Sequence, residues 1–108
     1  MTKPAQVPDP ETLEDRLAAS EFLLFKHSLY CPVSARAFEE YQLFAADHPE
    51  VPTAWLDVTG QRPLSRLIEE RSGVRHESPQ AILFREGQPV WDASHGAITA
   101  ESLAEALV

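Results

Sequence analysis

The feature that most constrains the fold is the run Phe22-Leu23-Leu24-Phe25 inside EFLLFKH. Successive side chains of a strand point to opposite faces, so a continuous apolar run puts hydrophobic groups on both. Such a strand is stable only where both faces are covered, as in a sheet with helices on either side. TAWLDV (residues 53–58) and AILF (residues 81–84) read the same way, as second and third buried strands. Each lies after a segment that reads as a helix.

Those helices carry their own signals. Asp9-Pro10 offers an N-cap followed by proline at the first helical position, and Leu13 and Leu17 then share a face at i, i+4. Pro32 suits the first turn of a long helix to about Asp47, with Phe38, Tyr41 and Ala45 at i, i+3, i+7. Pro63 opens another, with Leu64, Leu67 and Ile68 on one face and Gly73 as its stop. Glu86-Gly87 predicts a tight turn into PVWDA, a fourth strand paired as a hairpin. Thr99, between Ile98 and Leu103 at staple spacing, predicts a final short helix. Residues 1–8 are polar and proline-containing and are expected to be loosely ordered. The expected fold is α/β, a single domain over residues 1–108. It is a four-stranded mixed sheet flanked by helices, with the element order of the thioredoxin fold and an extra N-terminal helix.

A chain of 108 residues with 44% hydrophobic content can bury a core without disulfides or metals. The formal charge of −8 argues against nucleic-acid binding, which relies on clustered Lys and Arg. No apolar run approaches the ~18–20 residues of a membrane span, and the N-terminus lacks the apolar stretch of a secretory signal. A cytoplasmic protein, where thiols are kept reduced, is the expectation.

Cys31 is the only cysteine, so any covalent sulfur chemistry is intermolecular or redox-reactive. It falls just after the first strand and directly before the long helix. Backbone N–H groups and the helix dipole favour negative charge at that position, so a thiolate is supported there. Pro32 presets the first turn. Ser34 stands where redox proteins often carry a second cysteine, and its hydroxyl is expected to hydrogen-bond towards the Cys31 sulfur. The bland alternative is a small buried hydrophobe. His27, at the end of the first strand, either acts on the thiol, favouring the thiolate as a nearby imidazolium or shuttling its proton as a neutral ring, or is a half-buried strand-end histidine hydrogen-bonded to backbone. Ser78-Pro79, directly before an apolar strand, is either a cis bond beside Cys31 or a trans proline opening the strand. His76 and His95 read as structural, and Arg62, Arg66, Arg71 and Arg75 as a solvated helix face. The histidines and cysteine show no tight metal-ligand spacing. A phosphatase-type C-x5-R loop is excluded, because Arg36 follows Cys31 one position early and Ala stands at 37.

The stretch FKHSLYCPVS, the block ESPQAILF and the ending SHGAITAESL together resemble the monothiol bacilliredoxins, small thioredoxin-like proteins of the bacillithiol system. The resemblance runs from about Glu11 to Leu107, and the family pattern K-H-S-x-x-C-P-[IV]-S matches Lys26 through Ser34. Gly96 or Ala97 stands where the family carries a bulky residue. The resemblance implies a thiol–disulfide oxidoreductase with Cys31 catalytic, a cis proline at Pro79, and reduction of protein–bacillithiol mixed disulfides. No cofactor is expected to be bound permanently. Bacillithiol is the expected co-substrate, bacillithiolated cytoplasmic proteins the clients, and a second thiol or separate reductase the agent of release. Ser78, Pro79 and Tyr30 are candidate substrate contacts. Lys26, Arg36 and His95 are candidate partners for the malyl carboxylates of bacillithiol. Two other classes stay open at this point: a binding module without turnover, and an iron–sulfur carrier using one cysteine per subunit.

Overall fold

The computed structural model describes residues 3–108. Its elements are β1 (Ala5–Gln6), α1 (Pro10–Leu17), β2 (Glu21–His27), α2 (Pro32–Asp47), β3 (Thr53–Asp57), α3 (Arg62–Ser72), β4 (Gln80–Arg85), β5 (Gln88–Ser94), a single 3-10 turn (His95–Ala97) and α4 (Ala100–Ala106). The sheet has five strands in the order β1-β3-β2-β4-β5. β3 is parallel to β1 and β2, whereas β4 runs antiparallel to β2 and β5. The sheet is therefore mixed and flanked by helices, but it has one strand more than the four expected.

The extra strand corrects the expectation of a loose N-terminal segment. Ala5 and Gln6 pair with Ala54 and Trp55, the Val7 N–H bonds the Trp55 carbonyl at 2.8 Å, and Val7 is buried. Residues 1–2 of that segment lie outside the described residues.

β2 is central, and its alternation builds two cores. Phe22 and Leu24 face α1 and α3 with Leu13, Leu17, Leu56, Leu64, Ile68 and Ile82. Leu23 and Phe25 face α2 and α4 with Tyr41, Phe44, Leu83 and Leu103. Burial pushes the Tyr41 hydroxyl's pKa up, and that hydroxyl lies 2.6 Å from the Leu23 carbonyl and 2.8 Å from the Ala54 carbonyl. This ties α2 to β2 and β3.

The local signals are realised in detail. Asp9 accepts the Thr12 N–H at 2.8 Å. Gly73 caps α3 at φ 70°, and Glu86 and Gly87 both have positive φ (52° and 77°), as a two-residue hairpin turn requires. Thr99 and Ser102 form a reciprocal capping box for α4. A register shift at Leu83/Phe84 opposes the Pro89 end of edge strand β5, where a residue without an N–H is tolerated.

Candidate active site

β2 ends at His27, and residues 28–31 lead into α2. Cys31 is the N-cap of α2, with extended backbone (φ −103°, ψ 121°) and no capping bond from its side chain. It is partly exposed. An α-helix leaves the N–H groups of its first turn without internal acceptors. Pro32 at the first position has none, so Val33 and Ser34 supply the first two. The thiol thus sits where partial positive charge collects. Three apolar side chains surround this loop in sequence and are exposed: Leu29 at 45%, Tyr30 at 93% and Val33 at 49%.

The loop is fixed from inside by Ser34, which is fully buried. Its Oγ accepts the Ser28 N–H at 2.8 Å and lies 2.6 Å from His27 Nδ1. No hydrogen bond joins it to Cys31, which corrects the role expected of this hydroxyl: the side chain points inward and is consumed in anchoring the loop. His27 is buried too, stacked on Phe38 at 4.5 Å between ring centroids and edge-on to Trp55. Burial lowers its pKa against the opposing pull of the Asp57 carboxylate. That burial disfavours the imidazolium, and the ring's Nδ1 is bonded to Ser34, not to the Cys31 sulfur.

The Ser78–Pro79 bond is cis. The register Lys26↔Gln80 places it at the same end of the sheet as the thiol loop, on the strand beside β2. Pro79 is buried, and its carbonyl accepts the His95 N–H at 3.0 Å. Ser78 Oγ is buried and makes no hydrogen bond among the described residues. His95, at φ 54°, directs its Nε2 to the Glu77 carboxylate at 3.1 Å.

A cleft of about 480 Å³ runs between α2 and the 3-10 turn, lined by Val33, Arg36, Glu40, His95, Gly96 and Thr99. Two of the expected carboxylate partners, Arg36 and His95, are thus brought together. Glu40 is committed elsewhere, accepting the Ala100 N–H at 2.9 Å. Gly96 leaves its part of the wall open, since a Cβ there meets nothing within 4 Å.

Lys26 does not join them. It shares the phase of Phe22 and Leu24, so it points to the α3 side, opposite the face that carries α2. It is fully buried, with its ammonium 2.6 Å from His76 Nδ1 and 3.0 Å from Gln80 Oε1. Burial pushes its pKa down to about 8. A substrate carboxylate in the cleft is out of its reach.

Sequence reasoning missed the exposed apolar Leu29 and Val33, and the part of His76 as a partner of Lys26. Among the described residues, no three His, Cys, Asp or Glu side chains gather as a metal site, and no helix is long and apolar enough to cross a membrane.

This geometry has known counterparts. The family model described as Monothiol bacilliredoxin BrxC matches residues 5–103. A solved structure described as a candidate oxidoreductase with a thioredoxin fold is 33% identical, covers 96% of this chain and 94% of its own, and superposes with a TM-score of 0.89. A point mutant of the thioredoxin from Halobacterium salinarum NRC-1 is 20% identical over 95% of this chain and 86% of its own, with a TM-score of 0.76. A thioredoxin from Trypanosoma brucei brucei is 14% identical over 96% and 87%, with a TM-score of 0.77. The last two are likenesses of fold alone.

Proposed function

The chain belongs to the monothiol bacilliredoxin family and has the thioredoxin fold, and from that premise we propose that it removes bacillithiol from protein mixed disulfides through Cys31. Its role in thiol redox chemistry follows from the family. The substrate is our reading. One observation carries it: a partly exposed thiol at the N-cap of α2, with a buried Ser34 already bonded to Ser28 and His27 where a resolving cysteine would stand.

The Cys31 thiolate attacks the bacillithiol sulfur of a protein–S–S–bacillithiol. A Cys31–bacillithiol disulfide forms as the original disulfide breaks, and the client sulfur leaves as a thiolate that takes a proton from water. Ser34 has no sulfur with which to displace the adduct. A second thiolate, from another bacillithiol or a separate reductase, attacks the bacillithiol sulfur and regenerates the Cys31 thiolate. Leu29, Tyr30 and Val33 offer apolar area to the client chain. Arg36 and His95, in the cleft along α2, offer cationic partners to the malyl carboxylates.

The test is turnover of a bacillithiolated model protein, with wild type trapped and weighed intact. An adduct one bacillithiol heavier, formed on Cys31 as the client is freed, is the required intermediate. Cys31→Ser is expected to abolish release, because the chain holds no other thiol. Release by Cys31→Ser, or turnover without the adduct, would refute the mechanism.

A further inference from the structure

Lys26 is fully buried, and the reaction above gives it no task. Buried lysines are costly, because burial removes the ammonium from water. Phe22 and Leu24 show what the same face of β2 otherwise carries. Among the described residues, no carboxylate lies within ion-pair distance of Lys26. Glu69 and Glu77 act on it only at longer range, raising a pKa that burial lowers more. Its contacts go instead to the segment before β4.

The contacts form a connected set. The Lys26 ammonium donates to His76 Nδ1 and Gln80 Oε1. Gln80 Nε2 donates to the Arg75 carbonyl at 3.1 Å, and Gln80 Oε1 also lies 3.4 Å from the Glu77 N–H. The His76 N–H is held by Glu69 of α3 at 2.8 Å. Residues 74–78 have no regular secondary structure. Their shape therefore rests on side chains, and Lys26 links two of these, His76 and Gln80. On the opposite side, the same segment meets the cleft through the Pro79 carbonyl and His95.

We propose that Lys26 is a positioning residue: from behind the sheet it fixes the segment 75–80, so that the Ser78–Pro79 turn presents a constant wall to the disulfide approaching Cys31. This rests on the functional reading above. Its signature is selectivity. A substrate that lies along the turn depends on Lys26, whereas a small disulfide that meets only the thiol does not.

The experiment compares wild type, Lys26→Met and His76→Ala with a bacillithiolated model protein and with 2-hydroxyethyl disulfide. Amide NMR of residues 75–78 is recorded for each. Losing about one hydrogen bond's worth of positioning is expected to raise KM for the protein substrate roughly tenfold, with kcat and the small-disulfide rate within about twofold of wild type. Burial first, and the Lys26 ammonium second, hold His76 below the usual imidazole range. In Lys26→Met its ring is therefore expected to titrate higher. An unchanged KM in both variants, or a small-disulfide rate that falls in step with the protein substrate, overturns the proposal. If Lys26→Met does not fold, His76→Ala decides alone, because His76 is an exposed residue. Failure of wild type to free the bacillithiolated protein would reject the functional reading instead. The positioning of the segment is then judged by the NMR arm: amide shifts at 75–78 and a His76 titration unmoved by Lys26→Met overturn it independently.

Discussion

Ser34→Ala isolates what the hydroxyl three positions beyond the thiol contributes. It removes one atom that is fully buried and makes two contacts, 2.8 Å to the Ser28 N–H and 2.6 Å to His27 Nδ1. A typical net hydrogen bond contributes about 0.5–1.5 kcal/mol, and a buried polar group left unpaired costs about 1–3 kcal/mol. The Ser28 N–H is only part-buried and regains water cheaply, whereas His27 Nδ1 faces an aromatic stack and does not. The expected loss is therefore ~2 kcal/mol, close to one buried orphan. With a urea m-value of about 2 kcal/mol/M for a small domain, the unfolding midpoint falls by roughly 1 M at unchanged m. Adduct formation at Cys31 is expected to persist in the folded variant, because Ser34 makes no bond to the sulfur. A midpoint shift under roughly 0.3 M would show that the two contacts do not hold the loop. A folded Ser34→Ala that forms no Cys31 adduct would show that the hydroxyl acts on the sulfur after all.

Ser34→Cys is expected to change the kinetics in kind: bacillithiol is released from Cys31 without an added thiol, as an internal disulfide forms, and the signature is free bacillithiol in single-turnover mass spectrometry. Release that still waits on external thiol would count against the assignment of position 34 as the resolving position. Stability is expected to fall on acidification. Burial depresses the His27 pKa in the folded state, opposed by Asp57, so the unfolded chain takes up the proton first. The stabilisation is complete above the unfolded value of ~6.5 and is lost as pH falls through the lower folded value. His76 acts in the same direction. Urea midpoints between about pH 7.5 and 5 measure the slope. His27→Gln is expected to reduce it, and equal slopes in the two proteins would refute the attribution.

Most of the fold was legible because its signals are local. A proline at the first helical position marks the starts of α1 and α2 and stands within the first turn of α3. Glu86-Gly87 and the Thr99 capping box act over a few residues each. β1 escaped because it has no local signal. Ala5 and Gln6 are exposed, alternation cannot be read from a two-residue strand, and prolines flank it at positions 4 and 8. What orders it is distant: the edge of β3, which lies about fifty residues away in sequence and has free ladder positions at Ala54 and Trp55.

The site divides the same way. Cys31 at a helix start was readable from strand, loop and proline in sequence. The fates of Lys26 and His27 were also written in the strand, but only to a reading that counts phase. Phe22, Leu24 and Lys26 share one face, and Leu23, Phe25 and His27 share the other. Two neighbouring polar residues of one motif therefore leave the strand in opposite directions. His27 goes to the loop that carries the thiol, and Lys26 to the segment that precedes Pro79. Charge alone grouped Lys26 with Arg36 and His95, yet the pleat separates them, whereas packing of α2 against the 3-10 turn unites the latter two across most of the chain's length. On the proposed mechanism, a single motif supports both walls of the approach to Cys31, one from each face of the sheet. That is why Ser34→Ala and Lys26→Met are expected to differ in kind: the first loosens the loop that holds the nucleophile, and the second loosens the wall against which its substrate is aligned.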